Sequence, residues 1–204
     1  MTSRWYVLPG AVEDTASLHH PYLLGTKVYL RGLERADITG NWFQWFNDQE
    51  VTSYMTNGAF PNSVEGITRF YEHVVNSPND AVFAIVDRSA NAHVGNIGIH
   101  RIDWVNRVGE YGTVIGEKSA WGKGFGTEAT ELILAHAFCR LNLHKVFLGV
   151  HAEHAAAIRV YEKVGFVHEG RMRQEIFRDG LYYDKVMMGI LQEEFLARRA
   201  GGRR

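Results

Sequence analysis

Residues 121–127, Trp121-Gly122-Lys123-Gly124-Phe125-Gly126-Thr127, set three alternating glycines between a run patterned as a strand (111–117) and one patterned as a helix (127–141). Glycine lacks a Cβ and tolerates positive φ, so the backbone can turn sharply there and bring its N–H groups against a ligand. The helix that follows adds unpaired N–H groups and a partial positive charge at its start. A turn of this kind binds phosphate or pyrophosphate. Two better-known glycine motifs fail on spacing. The dinucleotide fingerprint G-x-G-x-x-G, started at Gly122, needs a third glycine where Thr127 stands, and it should open the first βαβ unit, whereas this loop lies past mid-chain. The P-loop G-x-x-x-x-G-K-[ST] has no match.

Around this loop the hydrophobic period changes along the chain. Residues 28–31 read as a short strand, 37–47 and 63–75 as helices, with a helical piece at 50–55. Ser63 is the expected N-cap of the second helix. Period two then runs through 81–87, 93–102 and 107–117, the pattern of a meander. After the loop come a helix (127–141), a strand (145–151) and a helix (155–164). Two closing strands (166–177 and 182–191) follow, joined by Arg178-Asp179-Gly180, with a short helix from Gln192. A mixed sheet with helices on its faces is the expected architecture. The domain spans 27–192, preceded by an extension over 1–26 and followed by a helix end and basic tail over 193–204.

The 204 residues suit one domain with an appendage, and 46% hydrophobic content supplies a core. A net charge of −1 argues against a dedicated nucleic-acid or membrane-surface protein. No apolar run reaches a membrane span and the first residues do not pattern as a secretory signal, so the cytoplasm is the expected location. Cys139, the single cysteine, reads as core filler. His19-His20 and His151/His154 have no third and fourth ligand spaced to complete a metal site, and no metal is expected.

The second informative stretch is His154-x-x-Ala157-x-x-x-Tyr161-x-x-x-Gly165-Phe166, a helix after a strand that stops at a glycine suited to the left-handed C′ position. With Trp121-x-x-Gly124-x-Gly126, it makes the chain resemble the GNAT superfamily of acetyl-CoA-dependent N-acetyltransferases. Their loop reads Gln/Arg-x-x-Gly-x-Gly/Ala, and their later signature Asn-x-x-Ala-x-x-x-Tyr-x-x-x-Gly-Phe. The resemblance covers about 27–192 and is nearest the branch holding ribosomal-protein N-terminal and spermidine acetyltransferases, whose closing hairpin is similar to residues 177–184. Trp121 and His154 depart from the pattern.

The resemblance implies an α+β fold: a mostly antiparallel sheet of about seven strands flanked by helices, with a splayed central pair holding acetyl-CoA. It implies that Trp121, Gly122, Lys123, Gly124, Phe125, Gly126 and Thr127 take the pyrophosphate. Val114, Ile115 and Gly116 would offer a strand edge to the pantetheine amides, one N–H also stabilising the oxyanion. His154 and Ala157 fall at further cofactor positions.

Tyr161 is the implied general acid for the departing thiolate, since a phenol of pKa about 10 is protonated at pH 7. Glu110 is the candidate base, with His100 and Glu175 as secondary candidates. The need for a base depends on the acceptor. An amine of pKa about 10.4 is neutral in about one molecule in 2,500 at pH 7, a cost of about 4.6 kcal/mol, against about 1.4 kcal/mol for an α-amine of pKa about 8.

Asn47, Asp48, Glu50, Tyr182 and Asp184 are candidate contacts for a cationic amine, either a protein N-terminus or a small amine such as a polyamine. An amino-sugar-nucleotide acceptor is the alternative within the enzyme class. A non-catalytic acyl-CoA-binding module is the alternative outside it. Related enzymes dimerise, so a homodimer or higher homo-oligomer is expected.

Overall fold

The computed structural model describes residues 17–201. The elements in chain order are strands β1 (Leu23–Leu24) and β2 (Val28–Gly32), then helical segments α1 (Arg35–Asp37) and α2 (Phe43–Trp45), joined by a π-helical turn, Ile38–Trp42. Helix α3 (Val64–Asn76) and the meander β3 (Ala81–Asp87), β4 (Ala92–Asp103), β5 (Val108–Ile115) follow. The second half holds α4 (Phe125–Cys139), β6 (Lys145–His151), α5 (Ala155–Val164), β7 (Val167–Arg178), β8 (Leu181–Leu191) and α6 (Gln192–Gly201).

Among the described residues the strands form one sheet, in the order β1-β2-β3-β4-β5-β6-β8-β7. All neighbours are antiparallel except β5 and β6. That pair is joined by the α4 crossover, as parallel pairing requires. The sheet's eight strands compare with about seven expected, the addition being Leu23–Leu24, which lies in the stretch read as an extension and pairs with Tyr29 and Leu30. Two expected helical elements are corrected. The helix expected over 37–47 is broken at Gly40, whose φ/ψ of −79°/−149° is not helical. Residues 50–55 form turns, with a 3₁₀ helix only at Thr56–Ala59.

Capping and turn chemistry fix the boundaries. The Ser63 hydroxyl accepts from the Gly66 N–H at 3.1 Å and starts α3. Gly165, at φ 107°, ends α5 by donating its N–H to the Tyr161 and Glu162 carbonyls. Asp179 and Gly180, at φ 49° and 83°, turn β7 into β8 as a primed turn requires.

Both faces of the sheet are covered. On one face α4 inserts Leu132, Ile133 and Phe138 against Ile99, Val146 and Met188, and Phe195 of α6 packs on Phe138 with centroids 5.3 Å apart. Helix α6, in the stretch read as a helix end and basic tail, continues to Gly201. On the other face Trp42, Trp45 and Ile67 cover Tyr29 and Ala84. This second layer is anchored by a buried pair: Arg31 donates both guanidinium arms to the Asp37 carboxylate at 2.8 and 2.7 Å. Burial opposes ionisation of Asp37, but hydrogen bonds from Arg31 and His93 hold its carboxyl well below the usual carboxylate range.

Candidate active site

The parallel pair β5–β6 stays together for only three positions, Val108↔Lys145, Gly109↔Val146 and Glu110↔Phe147. Beyond them the strands part, and the gap between Tyr111–Ile115 and the end of β6 is the cleft. Which backbone groups face it follows from register. The Gly116 N–H donates to the Val94 carbonyl on β4 at 3.0 Å, while the Arg107 carbonyl accepts from His144 at the start of β6 at 2.7 Å. Backbone groups alternate along a strand, so even-numbered residues of β5 face β4 and odd-numbered residues face the gap. Within the predicted stretch 114–116, Ile115 therefore addresses the cleft, joined by Tyr111 and Thr113. Val114 and Gly116 turn the other way.

The glycine loop closes the wide end of this gap. Gly122 and Gly124 have φ of 73° and 82°, a conformation that side chains rarely adopt. Helix α4 begins two residues earlier than expected, at Phe125, with Gly124 as its N-cap. Among the described residues, none of the backbone N–H groups of 122–127 donates a hydrogen bond to the protein. A run of free donors at a helix start is what a diphosphate requires, so the residues present fit coenzyme A. Trp121, where the family carries Gln or Arg, donates its indole N–H to the Ile115 carbonyl at 2.8 Å and ties the loop to the end of β5.

Two supports of this loop have no signature in the sequence. Lys27 donates its ammonium to the Lys123 carbonyl at 2.9 Å, beside Gly124. Glu128, buried in the first turn of α4, accepts from the N–H of Thr26 and of Lys27 (2.9 Å) and from the Thr26 hydroxyl (2.7 Å). An acidic residue there complements the helix dipole and straps the start of β2 to the loop. Only long-range pairing reveals either role.

Tyr161 stands at the apex of the gap. Its ring packs edge-on against Tyr111, the first residue of β5 past the last β6 pair, with centroids 5.6 Å apart. Burial pushes its hydroxyl up to about 12. The phenol is therefore protonated throughout the working range, and its O–H has no partner among the described residues. Ala157, one turn earlier, packs against the same core. His154 sits at the N-cap of α5 without capping it, its ring stacked on Tyr54 at 4.2 Å. Burial, and the neighbouring His151, push its imidazole down, so it is neutral at pH 7.

Across β5 lies the second layer. Trp45 covers Gly116 so closely that a Cβ there would fall 2.0 Å from the indole. Glu110 is paired with the Arg101 guanidinium. Asp48 and Glu50 both hold Lys118, at 2.8 and 3.0 Å, just before the glycine loop. Asn47 is spent on local structure, donating to the carbonyls of Phe43 and Asn62. Asp184 accepts from Arg171 and the Gln174 N–H. Tyr182 is exposed and packs on Phe177. The hairpin that carries these last residues reaches the acceptor side through Arg178, which donates to the Thr52 carbonyl at 2.5 Å. Glu175 pairs with Lys185 at 3.3 Å. His19 and His20 gain a third neighbour that sequence spacing did not offer. Glu34 lies with them so that the three ligand atoms fall within 4.8 Å, an exposed cluster in which His19 already bonds the carboxylate.

Known proteins resemble this chain in sequence and in fold. Residues 27–167 match the model of the acetyltransferase (GNAT) domain. The chain is 30% identical to spermidine N(1)-acetyltransferase of Vibrio cholerae over 175 residues, covering 86% of this chain and 99% of that protein. It is 33% identical over 101 residues to a putative ribosomal N-acetyltransferase, YdaF, of Bacillus subtilis, covering 50% of this chain and 55% of that one. A crystal structure of the Vibrio cholerae spermidine N-acetyltransferase in complex with CoA and spermine superposes with a TM-score of 0.77, at 29% identity, over 84% of this chain and 99% of that one. With its splayed strands, its ring of free amides and these matches, the chain belongs to the GNAT family and is an acetyl-CoA-dependent N-acetyltransferase.

Proposed function

We propose that the acceptor is a primary amine of a polyamine, acetylated by direct attack. The whole-length likeness to a spermidine acetyltransferase, including its form with CoA and spermine, carries this reading. Acetyl-CoA supplies the activated acetyl group; the protein holds it, orients it and moves protons. The free amides of 122–127, with Lys123 and Lys27 beside them, take the diphosphate. The gap-facing backbone of Thr113 and Ile115 aligns the pantetheine amides, and an N–H of the same parity near Tyr111 stabilises charge on the carbonyl oxygen.

A phenol near 12 is a weaker acid than a thiol near about 8.5, so complete proton transfer to the sulfur is uphill by about 5 kcal/mol. Tyr161 accordingly acts by donating a hydrogen bond to the departing sulfur, with the net proton coming from the attacking nitrogen. Exposed apolar side chains on the closing hairpin, among them Phe177, Leu181 and Tyr182, support a homo-oligomer. The cytoplasm, where acetyl-CoA chemistry and an unpaired cysteine are at home, is the location this reading expects.

One observation favours a protein N-terminus instead. Asp48, Glu50 and Asp184, the carboxylates expected to draw a polycation, are each engaged by a cation of the protein. An α-amine also needs less help to lose its proton. Thiol release from acetyl-CoA, measured with spermidine, spermine and short peptides bearing free N-termini, decides between them. Turnover of the polyamines above the peptides is expected; turnover of the peptides alone overturns the polyamine assignment.

A further inference from the structure

Opposite the phosphate loop, the acceptor-side face of β4 and β5 carries a second histidine arrangement that the family signatures do not contain. Gly98 and Gly112 are cross-strand partners, and together they leave a patch of sheet without side chains. The His100 imidazole lies across it: a Cβ on Gly98 would fall 3.1 Å from its Nε2, and one on Gly112 would fall 3.5 Å from the same atom. Its Nδ1 meets the Asp80 carboxylate at 3.0 Å. Asp80 is itself fixed by the Ser77 hydroxyl at 2.5 Å and by the Arg101 N–H at 3.4 Å.

The strand bulges between His100 and Asp103, and Arg101 takes a φ of 50°. Bulges of this kind re-aim side chains beside active sites. Gly112 is the second residue of β5 past the last β6 pair, so the imidazole overlies the start of the gap.

We propose that His100, oriented by Asp80, is the proton acceptor for the attacking amine. Burial opposes ionisation of Asp80, but hydrogen bonds from Ser77 and His100 hold its carboxyl below the usual range. An ionised carboxylate only accepts, so the proton sits on Nδ1 and the lone pair on Nε2. That Nε2 has no partner among the described residues, and the side chain is 27% exposed, within reach of an acceptor.

The bound ammonium gives one proton to Nε2, and the lone pair so freed forms the new C–N bond. Asp80 balances the imidazolium, the C–S bond breaks toward the thiolate, which takes the second nitrogen proton, and the imidazolium releases the first to water. The other groups facing the ring are Glu110 across the strand pair, Arg101 beside it, and Phe70 and His73 from α3. Glu110 is engaged by Arg101, which leaves His100 as the available lone pair.

This assignment rests on the amine-acetylation reading, and its test separates the two. His100→Gln is compared with wild type on whichever amine the wild type turns over, at pH 7 and pH 9.5. At pH 7 kcat should fall about 100-fold, within the usual range for a general base. Most of the loss should be recovered at pH 9.5, where about one amine of pKa about 10.4 in nine is already neutral against about one in 2,500 at pH 7, and acetyl-CoA affinity should be unchanged. An equal loss at both pH values, or none at pH 7, overturns the proposal.

A wild type inert toward every amine would overturn the acceptor reading alone. The imidazole is then judged without substrate, by nitrogen NMR of the protein and of Asp80→Asn. A proton on Nδ1 that loses its preference in Asp80→Asn supports the assignment, and a proton on Nε2 in the wild type overturns it.

Discussion

On the side of the cleft proposed for the cofactor the groups that face it are backbone amides, those of 122–127 and of odd-numbered residues on β5, whose directions are set by the fold. On the acceptor side they are side chains, each held by another: Glu110 by Arg101, Asp48 and Glu50 by Lys118, His100 by Asp80. The difference teaches where each side can vary. A backbone cradle tolerates almost any side chain, as Trp121 in place of Gln or Arg illustrates, but it cannot tolerate a changed φ. A side-chain pocket is re-specified by one substitution.

The largest expected effect tests the backbone half of that contrast. In Gly124→Val, a β-branched residue would have to hold φ near 82°, which costs about 1–2 kcal/mol, and its methyls would crowd the amides beside Lys27. Acetyl-CoA should bind at least about 300-fold more weakly by calorimetry, equivalent to about 3.4 kcal/mol. Trp121→Gln should change affinity less than tenfold. A Gly124→Val protein that keeps its affinity would break the comparison.

The second effect separates the two sides by acid. His136 in α4 is 6% exposed, its Nδ1 has no partner among the described residues, and burial pushes its imidazole down to about 4 from 6.5. The unfolded chain therefore takes up this proton first. Stability is whole above pH 6.5, falls as pH drops toward 4, and levels off below that. At pH 5 the loss should be about 2 kcal/mol, read as a lower urea midpoint, and His136→Phe should remove it. The acceptor layer responds in the same direction but only at lower pH. The Asp37 carboxyl lies well below its ordinary value, so its contribution is complete above about pH 4 and is lost only in stronger acid. Hydrogen exchange at pH 5 should thus accelerate in α4 before it does in β2.

This contrast also decides what the amino-acid sequence could reveal. Strands 81–87 and 145–151 and the helix 155–164 are read from periodicity to the residue, because their patterns run unbroken between turn signals. The glycine loop is legible because backbone geometry leaves a compositional trace. The acceptor layer leaves none. A π-turn at Gly40 breaks the expected helix, and the clamps from Asp48 and Glu50 to Lys118 join residues about 70 positions apart. Polarity alone made those carboxylates look available. Lys27 and Glu128 were hidden for the same reason, their partners being about a hundred residues away.

A third effect probes the side chain at the apex of the gap. Tyr161→Phe removes a hydroxyl without removing the ring that packs on Tyr111 and Phe166. Acetyl-CoA affinity and melting temperature should hold, while kcat falls about 20-fold, or about 1.8 kcal/mol. Full kcat would take the hydroxyl out of the reaction and leave Tyr161 as core alone.

The smallest effect is the most discriminating for the acceptor. Lys118 is a clamp, and Asp48 and Glu50 are the charges it quenches. In Lys118→Ala both carboxylates are released at the edge of the second layer, while the phosphate loop beyond Ala120 keeps its tie through Trp121. A polycationic acceptor should then gain attraction. Its KM should fall about threefold at low salt, and the gain should shrink as ionic strength rises, because exposed charges are screened over about 10 Å at 0.1 M. A peptide with a single α-amine should respond less. If KM for spermidine rises instead, Lys118 shapes the loop rather than masking charge, and the side-chain half of the comparison must be redrawn around that loop.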